Sequence, residues 1–209
     1  MDFTAARKAM VDSQVRVNDV TDRALQAALL AVPRERLVPA DRAFAAYAEV
    51  EPQVAGDRRL MLPRDLSKLL MALRAREGER ALVLAGPYAA AVLARMGLNV
   101  TAQDSDAAVF DVAGPALADE GVAAVVAPLT APEGEGYDII VSEAAVPGRP
   151  EAWLKALSVG GRLAVVERSG PAGKAVLYLR GPQGISRKEL FDAAPPMLAE
   201  LAPEPTFAL

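Results

Sequence analysis

From Arg80 onward the chain switches repeatedly between two hydrophobic periods, and this alternation limits its possible folds more than any other feature. Arg80–Ala85 is an apolar run of strand length, and the residues from Pro87 to Met96 carry helical spacing. Leu98–Gln103 reads as a second strand. A helical stretch over Asp106–Leu117 follows, in which Gly114-Pro115 is expected to break the helix. Val122–Ala127 and Tyr137–Ser142 are a third and a fourth strand. Glu151–Leu157 is helical, Gly160-Gly161 marks its end, and Arg162–Glu167 is a further strand. Strands alternating with helices predict a parallel sheet with helices on both faces. The rhythm then breaks. Ala175–Arg180 and Ile185–Phe191 flank Gly181-Pro182-Gln183-Gly184, which predicts an antiparallel hairpin closing the sheet and points away from a simple dinucleotide-binding fold.

The first third is helical in pattern. Residues 2–16 and 21–31 have helical periodicity, with Thr21 or Asp22 as the cap of the second segment. Val32–Pro39 is a proline-bounded turn, and a short Ala-rich helix is expected around Asp41–Ala46. After Pro63, Leu66, Leu69, Leu70 and Leu73 recur at i, i+3, i+4 and i+7, the stripe of an amphipathic helix. No repeat, low-complexity run or long linker divides the chain. One domain over 1–209 is expected, with a helical part at 1–78, a strand–helix core at 79–168, and a hairpin and tail at 169–209.

Two missing residue types narrow the chemistry. The chain has no cysteine and no histidine, which excludes disulfides, thiol nucleophiles, Ser-His-Asp triads and Cys/His zinc sites. Any chemistry must run on carboxylates, hydroxyls, Arg/Lys or a bound cofactor. The net charge of −4, with no dense basic cluster, speaks against nucleic acid as a partner. The longest apolar stretch, Ala81–Met96, is interrupted by Gly86, Pro87 and Arg95, so no membrane span is expected. The first residues lack the continuous apolar core of a signal peptide, and a cytoplasmic location is expected.

Four segments carry a resemblance. They are Met10–Arg16 with Val20-Thr21-Asp22; Val32-Pro33-Arg34-Glu35-Arg36-Leu37-Val38-Pro39; Tyr137-Asp138-Ile139-Ile140-Val141 with Gly160-Gly161-Arg162-Leu163; and Leu190–Pro196 with a late Phe207. In this order, over nearly the whole chain, they resemble the protein-L-isoaspartate O-methyltransferases, a branch of the S-adenosylmethionine-dependent methyltransferases. The "VPRERLVP" element is the most specific of them. The resemblance implies a Rossmann-like seven-stranded sheet, mostly parallel with a C-terminal antiparallel hairpin, with helices on both faces and a helical N-terminal extension. It does not by itself establish activity.

The resemblance also implies a cofactor site, which can be followed residue by residue. The family has a loop of the form acidic-x-Gly-x-Gly-x-Gly-Tyr after the first core strand. Here the matching segment, Ala81–Ala94, has a shorter loop and keeps only Gly86; Val83 occupies the acidic position, and Pro87 has no N–H to offer. Asp104 stands where Rossmann-like sites place an acid for ribose hydroxyls, although it or Asp106 is equally a helix cap. After the third strand the chain has Ala127-Pro128, which can make no side-chain hydrogen bond. The cofactor-binding candidates are Ala85, Gly86, Asp104, Ser105 and Ser142. The bland alternative, which the missing glycines favour, is a strand–turn–helix connection kept for folding alone.

At the reaction centre the family has a stretch resembling Gly-Gln-Thr-Ile-Ser-Gln-Pro. The counterpart here is Asp57-Arg58-Arg59-Leu60-Met61-Leu62-Pro63, in which only the proline agrees. An isoaspartyl carboxylate, with a pKa of about 4, is already ionised at neutral pH and needs no general base. Catalysis would rest on alignment and the exclusion of water. Arg58 and Arg59 are the catalytic candidates, able to hold a carboxylate; the bland alternative is a pair of solvated arginines on a loop. Met61 and Trp153 read as packing residues, and Glu143 as a solvated loop acid rather than a pocket residue.

The expectation is therefore a degenerate, non-catalytic homologue with a binding or structural role, exerted through a protein or peptide partner. The alternative is an active carboxyl O-methyltransferase acting on L-isoaspartyl residues of damaged proteins. S-adenosyl-L-methionine would be the cofactor if the pocket is open, with no cofactor otherwise. A nucleotide-linked dehydrogenase is disfavoured, because Gly-x-Gly-x-x-Gly is missing after the first core strand.

Overall fold

The computed structural model describes residues 1–202; Phe207, part of the resemblance above, lies outside the described residues. Helix α1 (Phe3–Met10) is capped by Asp2, whose side chain accepts from the Ala5 N–H at 3.0 Å. The helix then widens into a π-helical turn over Val11–Val15 and tightens into a 3₁₀ turn over Arg16–Asn18. Helix α2 (Arg23–Ala31) is capped by Asp22 rather than Thr21. Two 3₁₀ turns, Arg34–Leu37 and Ala40–Ala45, lead to an antiparallel ribbon that periodicity does not announce: β1 (Gln53–Ala55) and β2 (Arg58–Arg59). Helix α3 (Pro63–Leu73) buries Leu66, Leu69, Leu70 and Leu73, as their spacing predicts.

The strand–helix core follows. It comprises β3 (Arg80–Leu84), α4 (Pro87–Arg95), β4 (Asn99–Asp104), α5 (Ala107–Asp119), β5 (Ala123–Val126), β6 (Tyr137–Val146), α6 (Glu151–Ala156) and β7 (Leu157–Arg168). The hairpin is β8 (Gly173–Gly181) and β9 (Gly184–Asp192). The seven strands β3–β9 lie in the order β5-β4-β3-β6-β7-β8-β9; the first five are parallel, and the hairpin adds two antiparallel pairings. The predicted fold is the observed one.

Strand β3 shows why the sheet is covered on both sides. Its period of two sends Ala81 and Val83 into the core shared with α2–α5, and Leu82 and Leu84 into a second core with Trp153 and Leu154 of α6. All four side chains are fully buried. Among the described residues, no helix is long and apolar enough to cross a membrane.

Three expectations need correction. Gly114-Pro115 does not break α5, which runs through both residues. Pro115 and Asp111, whose carbonyl loses its helical donor, are solvent-exposed, while Ala116 and Leu117 are anchored in the core, so water can replace the missing bond. Gly160-Gly161 does not end α6, which stops at Ala156. The pair forms a bulge inside β7, where the register jumps from Tyr137–Leu157 to Ile139–Arg162. A Cβ on Gly161 would lie 2.7 Å from the Tyr137 carbonyl oxygen, which is why glycine sits there. Finally, β6 continues past the expected end at Ser142 to Val146, so Glu143 lies within a strand and not in a loop.

Candidate functional site

Strand order reverses between β4 and β6 on the two sides of β3, and in open α/β sheets ligands bind at the carboxyl ends of strands beside such a reversal. That is where Ala85, Gly86, Asp104, Ser105 and Ser142 gather. Ala85 adopts a left-handed φ of 48°, unfavourable for a residue with a Cβ by about 1–2 kcal/mol. Its N–H donates to the Gln103 carbonyl at 3.0 Å, which ties the turn to β4. Gly86 precedes α4 with an extended φ of −149°, so its conformation does not demand glycine. Space does: a Cβ there would lie 2.9 Å from Val83 Cγ1 and 3.0 Å from Glu143 Cγ.

Glu143 is therefore no solvated acid. It is 1% exposed and accepts from the Met61 N–H at 2.9 Å and the Ala89 N–H at 2.8 Å, the latter in the first turn of α4. Burial raises its carboxyl above the ordinary range, although Arg34 and these amides favour the anion. Arg34, also fully buried, donates from Nε to the Ala46 carbonyl and from Nη2 to the Met61 carbonyl, each at 2.7 Å. Its guanidinium stacks over the Tyr88 ring, 4.6 Å from the centroid. The backbone at Met61 is thus gripped at its N–H by the Glu143 carboxyl, which accepts, and at its carbonyl by the Arg34 guanidinium, which donates. Met61 itself is core, as the sequence predicts.

Arg58 differs from the expected solvated arginine. The β1–β2 ribbon carries it over the end of β4, where its side chain is 9% exposed. Its Nε donates to Asp104 Oδ1 at 2.9 Å, Nη2 to Ser105 Oγ at 2.6 Å, and Nη1 to Asp57 Oδ1 at 2.5 Å. Glu200, in the C-terminal turn Ala199–Leu201, completes the network. It accepts from the Ser105 hydroxyl, from the Leu129 N–H at 2.6 Å, and from Arg58 Nη2 at 3.5 Å. Asp104 Oδ1 also accepts from the Asp106 N–H at 3.0 Å, while Asp106 is the residue that caps α5. Burial raises the Asp104 carboxyl above its ordinary value despite the Asp106 N–H and Arg58. Asp104 Oδ2 is buried and has no partner among the described residues.

The remaining candidates separate. Arg59 stays exposed on β2 and donates to the Glu51 carbonyl at 3.2 Å, away from Asp104. Ser142 is buried and satisfied by backbone, accepting from the Ala144 N–H at 3.1 Å. Trp153 packs as expected, and its Nε1 donates to the Leu129 carbonyl at 2.7 Å. Two residues of the site, Arg34 and Glu200, were not among the candidates above. Arg34 had a signal, being the charged centre of the most specific motif. Glu200 had none, because its partners are 95 and 71 residues away.

No family model matches the chain. Among curated proteins it is 34% identical over 193 residues to the protein-L-isoaspartate O-methyltransferase of Methylorubrum populi, covering 88% of this chain and 91% of that protein. It is likewise 34% identical over 168 residues to protein-L-isoaspartate O-methyltransferase 1 of Rhodopseudomonas palustris, covering 77% of this chain and 69% of the relative. Among solved structures, the isoaspartate methyltransferase of Plasmodium falciparum with bound S-adenosyl-L-homocysteine superposes with a TM-score of 0.79. That match covers 93% of this chain and 98% of that one at 14% identity, and it supports the fold.

Proposed function

The chain belongs to the protein-L-isoaspartate O-methyltransferase family, and from that premise we propose that it is a degenerate member whose cofactor site is filled by its own side chains. The observation that carries this reading is the buried Arg58–Asp104 pair with its extension to Ser105 and Glu200. The acid that the resemblance assigns to ribose hydroxyls already accepts from a guanidinium and a backbone amide through Oδ1. The N-terminal turn of α4 is occupied by the chain's own carboxylate, Glu143. Val83 and Ala127-Pro128 supply no polar side chain where the family has them. The residues present do not fit S-adenosylmethionine held in the family manner. On this reading the protein acts in the cytoplasm by binding a protein or peptide.

A second reading has one observation in its favour. Asp104 Oδ2 is left without a partner among the described residues, an acceptor free for one hydroxyl. If the Arg58 side chain swings away, the chain would methylate isoaspartyl carboxylates, as its relatives' names state of them. Its part would be to align an already ionised carboxylate and exclude water.

A thermal melt with S-adenosylhomocysteine separates the two. A ligand at a hundred times its Kd adds about 2.7 kcal/mol of stability, which for a chain of this size raises Tm by roughly 5–10 °C. The closed-site reading expects no shift at millimolar ligand. A shift of that size would overturn it and revive the transferase.

A further inference from the structure

After the hairpin the chain turns back across the carboxyl ends of the strands. The Ala145 N–H donates to the Pro196 carbonyl at 3.1 Å and Ala145 bridges Met197 in parallel, so the segment follows the end of β6. Leu198 is buried in the second core, and the turn Ala199–Leu201 then reaches the residues that follow β4 and β5. There the Glu200 carboxylate is held as a bound ligand would be. Its Oε1 accepts from the Leu129 N–H at 2.6 Å, and its Oε2 from the Ser105 hydroxyl and, at 3.5 Å, from Arg58 Nη2.

The three donors are fixed independently of this occupant. Arg58 is held by Asp104 at 2.9 Å and Asp57 at 2.5 Å, and its Nη2 donates to Ser105 Oγ at 2.6 Å. Leu129 is fully buried, and its carbonyl accepts from Trp153 Nε1 at 2.7 Å. The occupant is less firmly anchored. Ala199 and Ala202 are exposed, Glu200 and Leu201 are half-buried, and of residues 198–202 only Leu198 is buried. A cleft of about 580 Å³, walled by Val146, Pro150 and Trp153, adjoins Glu200 and Leu201 and gives a second chain room to approach. Charge selects the ligand. Arg58 already faces Asp57 and Asp104, so a carboxylate can replace Glu200 one for one, whereas a phosphate would add negative charge.

We propose that Arg58, Ser105 and the Leu129 N–H form a site for a peptide carboxylate, which Glu200 occupies in cis as an autoinhibitory contact. The external ligand is an acidic segment of another protein, its Glu set among leucines as in Leu198-Ala199-Glu200-Leu201. A guanidinium, a hydroxyl and an amide together give a carboxylate charge-assisted bonds and directional recognition. The cis turn competes with the advantage of a tethered group, so the site is masked until an external segment displaces it. This site supplies the binding role proposed above with its partner's chemistry, and rests on that reading.

The experiment titrates a fluorescent, end-blocked peptide, Pro-Met-Leu-Ala-Glu-Leu-Ala, into the full chain and into Glu200→Ala, and follows anisotropy. The peptide is expected to bind Glu200→Ala at least about tenfold more tightly than the parent, whose own turn competes. Gln in place of the peptide's Glu should weaken binding to that variant roughly tenfold, the effect of losing a charge-assisted hydrogen bond. On the parent, saturating peptide should shift the Leu129 amide resonance, a readout that does not depend on the variant's folding. Equal binding of the Glu and Gln peptides, no preference for Glu200→Ala, or an unmoved Leu129 amide overturns the proposal. Concentration-dependent dimers of the parent that Glu200→Ala abolishes would make the occupant a second copy and overturn the external partner. Closure of the cofactor site is judged separately. Stabilisation of the parent by S-adenosylhomocysteine sinks that reading, while a failed peptide titration without such stabilisation sinks this one alone.

Discussion

Arg58 Nε lies 2.9 Å from Asp104 Oδ1, joining two residues 46 positions apart, and their side chains are only 9% and 2% exposed. Both charges have left water for one another, so removing one is worse than removing both. Arg58→Ala should destabilise the fold by about 3–5 kcal/mol, because Asp104 is left buried and unpaired. The double change Arg58→Met with Asp104→Asn should recover most of that loss. Urea denaturation of the two variants measures the difference. Equal destabilisation would show that the residues do not act as a pair.

Arg34 presents a different geometry, two carbonyls and an aromatic face served by one planar group. A lysine cannot reach both carbonyls and stack on Tyr88 at once. Arg34→Lys is therefore expected to cost about 3 kcal/mol, the worth of one to two charge-assisted hydrogen bonds. Denaturation midpoints read this directly, and a loss below about 1 kcal/mol would mean that the grip on Met61 is unimportant.

Glycine substitutions should divide by location. Gly86→Ala drives a methyl against Val83 and Glu143 and is expected to destabilise by about 1–3 kcal/mol. Gly114→Ala, inside α5, meets no side chain beyond its chain neighbours closer than Phe110 Cβ at 3.9 Å, but its Cβ must pass the Pro115 ring, so the helix gain of about 0.5–1 kcal/mol is offset and little net change is expected. A clear loss at Gly86 beside near-neutrality at Gly114 is the expected result in thermal melts. A neutral Gly86→Ala would contradict the packing described there.

The acid limb of stability should report on Glu79. Burial alone would raise its carboxyl, but the Arg162 fork, 2.8 Å on each oxygen, and the Arg76 N–H outweigh burial and hold it below the ordinary value. A depressed folded pKa contributes stability that is present above the unfolded value of about 4.3 and is lost as pH falls through the folded value. Glu79→Gln should be clearly less stable than the parent at pH 7, with the gap closing at lower pH. Arg162 keeps its bonds to the Leu73 and Arg74 carbonyls at the end of α3 in either case. A gap that does not change between pH 7 and pH 2.5 would sink this account.

Much of the site's position was legible in the sequence. The family resemblance pointed to the single glycine of the shortened loop, the acid at the end of the second core strand and Ser142, and all three sit at the strand-order reversal, whereas Glu143 beside them was set aside. What they do there was not legible. Glu143 reads as a loop acid because the apolar run thins out after Val141, yet β6 carries it on into the core. Arg58 reads as solvated because two adjacent arginines carry no periodicity. Only the pairing of β1 with β2 decides that one is buried and the other exposed.

The sequence by itself determined the alternation of elements, the parallel sheet with its closing hairpin and the leucine stripe of α3, and it narrowed the caps of α2 and α5 to two nearby residues each. These follow from side-chain period and from local hydrogen bonding, which reach only a few residues along the chain. Tertiary structure decided the rest. Pro115 continues a helix because its exposed face can use water while its neighbours are held by the core. Gly160-Gly161 is a bulge because β6 passes too close for a Cβ. The hydrogen-bonded network at the candidate site exists because residues 58, 104, 105 and 200 meet only after folding. A buried charge chooses its partner by proximity in space, and that information is not carried by any local pattern.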